Sequence, residues 1–286
     1  MSSVKQWMNK KMNSRIGTMI LLAGTVLLNI FAVDAFAFQC ADVTEISAAE
    51  CEALQDLYNS TNGANWNDKT GWLADNTPCD WFGVTCRNGQ VVYITLNENG
   101  LQGNIPETIG NFTTLDYLNL NGNELAGSIP ASIGQLTVLN QLRLGDNQLT
   151  TIPEAIEQCS ALTFLDLKEN KISVIPSQIG SLSNLTYLEL SSNQLTSTSF
   201  PAEFSHLTAL ETLGLFENLL TSLPASVSDL TNLKGINLGW NKPIESLAGI
   251  GKMTGLEKLH LHSTELTELP EEIANLTNLK ELWLPG

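Results

Sequence analysis

The sequence predicts an α/β solenoid, a right-handed superhelix of short repeats whose strands form a parallel sheet on the concave face. Two observations carry the prediction. From residue 91 onward the pattern L-x-x-L-x-L-x-x-N-x-L returns eight times, with first positions at Val91, Leu115, Leu139, Leu162, Leu185, Leu210, Leu233 and Leu256, and Leu279 opens a truncated ninth unit in 91–286. Nearly every unit then carries an apolar-proline step, as at Ile105-Pro106, Ile152-Pro153 and Leu269-Pro270. Steps of 23 to 25 residues held this regularly do not arise from leucine abundance alone.

In chain order, residues 1–37 read as a secretory signal peptide. Lys5, Lys10, Lys11 and Arg15 precede a largely apolar run from Ile16 to Val33, and Ala35-Phe36-Ala37 supplies the small residues of a cleavage site. An uncleaved signal anchor is the alternative, because 18 residues just span a bilayer. Export predicts an oxidising compartment for the five cysteines. Cys79 and Cys86 enclose six residues and are expected to bridge; Cys40 and Cys51 are the candidates for a second bridge, although four cysteines allow three pairings. Cys159 falls on an apolar position and reads as a buried hydrophobe rather than a nucleophile.

Within each unit the fixed residues have separate physical reasons. Leucines at the fourth and sixth positions mark a short strand with one buried face. The asparagine at the ninth position (Asn99, Asn123, Asn147, Asn170, Asn193, Asn218 and Asn241) turns inward, where its amide can pair with backbone groups that the turn leaves unsatisfied; Thr264 stands there in the eighth unit. Proline fixes the chain direction and suits the first turn of a following helix or 3₁₀ segment. The seventh unit puts Pro243 on a usual leucine position and has no Leu-Pro step, so a different convex side is expected there. The sequence Leu282-Trp283-Leu284-Pro285-Gly286 stops directly after a strand, and the expectation is a last core edge without a polar cap.

The repeat pattern is that of the leucine-rich repeat. Cys51-Glu52-Ala53-Leu54-Gln55-Asp56-Leu57-Tyr58-Asn59, Asn62-Gly63-Ala64-Asn65-Trp66, Gly71-Trp72-Leu73 and Pro78-Cys79-Asp80-Trp81-Phe82-Gly83-Val84-Thr85-Cys86 resemble the N-terminal capping domain of the plant-type leucine-rich-repeat family, to which receptor-like-kinase ectodomains and polygalacturonase-inhibiting proteins belong. Leu101-Gln102-Gly103-Asn104-Ile105-Pro106 and Leu125-Ala126-Gly127-Ser128-Ile129-Pro130 match its plant-specific repeat form, which gives way from the third unit to a shorter one. The resemblance covers roughly residues 51–286. It implies a leucine-rich-repeat solenoid with a disulfide-bonded helical N-cap over 38–90, and an extracytoplasmic binding module whose ligand lies on the concave sheet or its edge.

The chain carries 14 Lys+Arg against 30 Asp+Glu and a net charge of −16, which argues against nucleic acid and anionic lipid as partners. On the concave face, the third positions of the first units read Tyr93, Tyr117, Gln141, Phe164 and Tyr187, an aromatic stripe that either anchors a ligand or stacks on itself. Phe216, Trp240, His260, His262 and Trp283 form a second cluster, and Arg143, Asp146, Asp166, Lys168, Glu169 and Glu189 lie between. This mainly acidic strip points to a protein partner with complementary basic charge; keeping an open sheet soluble is the other reading. His260 and His262 lack a third ligand on neighbouring strands, so neither a metal nor any other cofactor is expected. No nucleophile-elbow, zincin or phosphate-loop motif occurs, and the expectation is a binding protein, not an enzyme. A cell-surface adhesion or glycan-binding component, or the ectodomain of a larger receptor, is the alternative.

Overall fold

The computed structural model describes residues 38–241 and 243–284; the expected signal segment, Lys242, Pro285 and Gly286 lie outside them. The cap opens with helix α1 (Ala48–Ser60). Ser47 and Glu50 form a reciprocal capping box, the Glu50 amide donating to Ser47 Oγ and the Ser47 amide to Glu50 Oε2, both at 3.2 Å. Glu50 is buried, and its other oxygen accepts from the Val91 amide at 2.9 Å. One side chain thus starts the helix and ties it to the first repeat. Disulfides join Cys40 to Cys51 and Cys79 to Cys86. Between them Tyr58, Trp66, Trp72 and Trp81 pack in series with ring centroids 5.2, 4.8 and 5.1 Å apart. Each indole N–H is satisfied: Trp66 donates to Thr61 O, Trp72 to Phe82 O and Trp81 to Asp75 Oδ1.

Strand β1 (Val84–Arg87) pairs antiparallel with β2 (Gln90–Thr95) through a turn at Asn88 and Gly89, both with positive φ. The parallel stack then runs from β2 through β4 (Tyr117–Asn119), β6 (Gln141–Arg143), β8 (Phe164–Asp166), β9 (Tyr187–Glu189), β10 (Thr212–Gly214), β11 (Gly235–Asn237), β12 (Lys258–His260) and β13 (Glu281–Trp283). A second sheet of β3 (Gln102–Gly103), β5 (Glu124–Ser128) and β7 (Gln148–Thr151) forms beside the first units. It begins where the plant-specific repeat form occurs, whose Gly103 and Gly127 adopt φ of 113° and 77°. A Cβ on Gly103 would lie 2.3 Å from Ser60 O at the end of α1, so this glycine also lets the cap dock.

On the opposite side each proline caps a short 3₁₀ segment, such as Glu107–Asn111, Ala131–Gln135 and Ser177–Ser181, and sits one residue before it rather than inside its first turn. The sixth unit has a single α-turn instead, α2 (Ala225–Ser228). The seventh has only Ile250–Lys252, entered from Gly249 at φ 88°, which is the different convex side expected without the Leu-Pro step.

Leucines such as Leu118, Leu142, Leu165 and Leu259 are fully buried between the two sides, and truncating one to Ala removes about 3 kcal/mol. The inward asparagines knit the units together. The oxygen of Asn147 accepts from the Leu125 amide of the previous unit at 2.9 Å, and its Nδ2 donates to Leu120 O and Leu144 O. Asn123, Asn170, Asn193, Asn218 and Asn241 repeat this arrangement. Asn99, in the first unit, exchanges both of its bonds with the Asp68 backbone of the cap. The Thr264 hydroxyl donates within its own turn, to Leu261 O at 2.8 Å, and among the described residues it makes no bond to a neighbouring unit.

Candidate functional site

The strand register sets the outward side chains in rows. Tyr93 pairs with Tyr117, Tyr117 with Gln141, Gln141 with Phe164, and Phe164 with Tyr187. The rings engage one another. Tyr93 and Tyr117 meet edge to face at 6.2 Å, and Phe164 and Tyr187 are parallel at 4.3 Å. Two arginines complete the row: Arg87 lies 5.4 Å from the Tyr93 ring and donates to its hydroxyl, and Arg143 lies 4.2 Å from Phe164 and 5.8 Å from Tyr117.

The centre of the face is acidic. Asp166 and Glu189 stand side by side on β8 and β9. Asp166 is only 6% exposed; Oδ2 accepts from Asn121 Nδ2 at 2.8 Å and Oδ1 from the Lys168 amide at 3.2 Å. Glu189 accepts from the Tyr187 hydroxyl at 3.3 Å and from both the amide and hydroxyl of Ser191. Gly214 on the next strand makes room for it, since a Cβ there would lie 1.8 Å from Glu189 Oε1. Burial, then the nearby Glu189 and Asp166 carboxylates, push the Tyr187 phenol up to about 12. Arg143 is in register with Asp166, yet among the described residues it forms no ion pair; one terminal nitrogen donates to Gln141 Oε1 and its Nε is buried without a partner. Of the rest of the expected strip, Lys168 and Glu169 approach to 4.0 Å, while Asp146 and Glu169 occupy the turn beyond the strands.

That turn is left-handed in each of the eight complete units. Glu98, Gly122, Asp146, Glu169, Ser192, Glu217, Trp240 and Ser263, all at the eighth position, have φ between 51° and 68°. Trp240 is therefore presented at 52% exposure from a conformation that bulky residues rarely adopt. It lies 6.4 Å from Phe216 in the second cluster. There His260 stacks on Trp283 at 4.3 Å and hydrogen-bonds Glu281, and His262 sits 5.7 Å from both Phe216 and Trp283 above Gly239, where a Cβ would meet its ring at 2.6 Å. Among the described residues no three His, Cys, Asp or Glu side chains gather to hold a metal ion. Cys159 is fully buried, burial pushes its thiol up to about 12, and its Sγ donates to Ile133 O.

A depression of about 370 Å³ opens at the N-terminal end of the face, between Thr85, Tyr93, Thr95, Asp116, Tyr117, Asn140 and Gln141. The tyrosines are legible in the repeat register, but Thr85 and Arg87 on β1 are not, because a cap bounded at residue 90 places both outside the sheet. The signal is present as Asn88-Gly89 between alternating residues. Asn121 and Ser191, which hold the two central carboxylates, carry no charge and leave no comparable mark.

Family models of the leucine-rich repeat match residues 114–136 and 137–195, a leucine-rich repeat region matches 177–285, and the leucine rich repeat N-terminal domain matches 47–87. Among solved structures the chain is similar to the plant peptide hormone receptor RGFR1 in complex with RGF2, at 34% identity over 73% of this chain and 37% of the receptor, with a TM-score of 0.59. It is similar also to the ectodomain of the Arabidopsis receptor kinase HAESA in complex with an N-terminally extended IDA peptide hormone, at 27% identity over 84% and 42%, TM-score 0.66. A plant ice-binding protein matches at 25% identity over 84% of this chain and 79% of that one, TM-score 0.69. The chain spans less than half the length of the two receptors. With a matching N-terminal domain, matching repeats along the solenoid and the fold of plant receptor ectodomains, the chain belongs to the plant-type leucine-rich-repeat family.

Proposed function

We propose that the chain is a non-catalytic recognition module, working outside the reducing cytosol, that holds an extended protein segment across the concave sheet face and seats a basic side chain of that segment over Asp166 and Glu189. The observation that carries the reading is the state of this carboxylate pair. Both are oriented by hydrogen bonds from Asn121, Tyr187, Ser191 and the Lys168 amide, and among the described residues neither is in an ion pair. The bonds hold the oxygens in place while, among the described residues, no cation bonds to them, Arg143 lying instead 4.2 Å from Phe164, and the Tyr187 ring beside them suits the aliphatic stem of a Lys or Arg. Similarity to two receptors solved with peptide hormones supports the mode of binding. The two disulfides support the compartment.

Selection of a random peptide library on the immobilised chain tests the reading. Recovered peptides are expected to share a Lys or Arg flanked by extended, uncharged residues. The double variant Asp166→Asn/Glu189→Gln, which keeps the shapes and removes both charges, is expected to bind them at least about tenfold more weakly. Recovery of peptides without a cation, or undiminished binding by the double variant, would falsify the assignment.

A further inference from the structure

The depression at the N-terminal end of the face lies apart from the central carboxylates and is built differently. Tyr93 and Tyr117, nearly perpendicular at 89°, give it an aromatic floor. Its polar groups are half satisfied. Among the described residues the Asp116 carboxylate has no hydrogen bond or ion pair; Asn140 uses its oxygen for the Thr163 hydroxyl and Gln141 uses its oxygen for Arg143, so both amide NH₂ groups remain free to donate. The Tyr117 and Tyr93 hydroxyls accept from Asn119 Nδ2 and an Arg87 nitrogen, which leaves their hydrogens free. An apolar ligand would bury these groups without partners, at a cost for each. A cationic side chain would use Asp116 and leave the amide donors idle.

What matches is a ligand carrying closely spaced groups that both donate and accept, together with an apolar face for a ring to lie on: a sugar. Its vicinal hydroxyls can bridge a carboxylate and an amide, and the C–H face of a pyranose can pack on a tyrosine. Among the described residues the one charged group lining the depression is Asp116, with Arg87 and Arg143 bordering it only through Tyr93 and Gln141, and the chain is strongly acidic, which favours an uncharged sugar. A volume of about 370 Å³ is at the small end for ligand pockets and holds a short stretch of a chain rather than a branched glycan. We propose that this depression binds a neutral saccharide, one ring stacked on Tyr117 and its hydroxyls divided among Asp116, Asn140 and Gln141.

The experiment is titration of the full chain with cellotetraose and with chitotetraose, by calorimetry and by saturation-transfer NMR. At least one is expected to bind at or below about 10 mM, as suits a shallow site. Tyr117→Ala and Asn140→Ala are each expected to weaken it about tenfold, with unchanged circular dichroism. Two variants on separate strands guard against misfolding of either. Asp166→Asn/Glu189→Gln is expected to leave sugar binding intact, so loss of peptide capture and loss of sugar binding are separable. Silence with both sugars, affinity unchanged in both variants, or tighter binding of anionic tetragalacturonate would each overturn the proposal.

Discussion

Tyr187 condenses the electrostatics of the face into one residue. Its hydroxyl donates to Glu189, its ring covers Phe164, and the Asp166 carboxylate is close enough to act on it. All three oppose a phenolate, burial most strongly, so the folded phenol titrates at about 12 instead of the ordinary 10. The sign follows from linkage: a folded value above the unfolded one means the contribution is fully present below pH 10 and is lost as the pH rises through about 12. An ultraviolet titration of the wild type minus Tyr187→Phe isolates this phenol. Half-ionisation near 12 is expected, and Glu189→Gln should bring it down by removing a negative neighbour. Gly214→Ala should act the same way from another strand, because the added methyl has to displace the Glu189 carboxylate from its partners while the backbone, at an ordinary φ, accepts alanine. Ionisation near 10 in the wild type would contradict the described packing.

At the scale of elements, what the sequence discloses and what it hides have distinct physical causes. Leucine spacing reports burial, and burial is periodic, so the strands and the rows Tyr93 to Tyr187 are legible from the repeat register alone. The left-handed turn at the eighth position is not. Its residues share a conformation without sharing a type, because inter-unit backbone bonds such as Glu98 N to Asn121 O and Asp146 N to Lys168 O impose it from outside. The central site is half legible for a similar reason: charge marks Asp166 and Glu189, but the groups orienting them are neutral and come from neighbouring positions. The cap offers an element-scale prediction. The Trp81 indole N–H and then the Thr77 amide hold the Asp75 carboxyl below its ordinary value, so their contribution is present above the usual carboxylate range and is lost as the pH falls through the depressed value. Tryptophan fluorescence in an acid titration should show the cap loosening at low pH, and Asp75→Asn should remove that pH-dependent step. An acid transition identical in the variant would assign the step to other groups.

For residues 38–284 as a whole, the asparagines make a set of stacked units behave as one. Asn170 accepts from the Leu149 amide of the preceding unit at 2.8 Å and donates across to Leu144 O at 2.9 Å as well as to its own Leu167 O. Replacing it with Ala leaves the buried Leu149 amide without its partner, while Leu144 O and Leu167 O keep bonds from Asn147 and Asn193, a loss of about 1–3 kcal/mol. In a solenoid, stability is a sum over units and the contacts between neighbours, so weakening one interface reduces coupling as well as stability. Tryptophans stand on both sides of the lesion: Trp66, Trp72 and Trp81 in the cap, and Trp240 and Trp283 beyond it. Comparison with a Trp240→Phe/Trp283→Phe version separates the two signals in urea. The wild type is expected to lose both at one midpoint. With Asn170→Ala the distal pair should change first, because both disulfides lie on the cap side and restrain only that part of the unfolded chain. The cap signal should follow at higher denaturant. Coincident transitions in the variant would mean that leucine packing alone couples the units, and that the asparagines serve only to satisfy the turns.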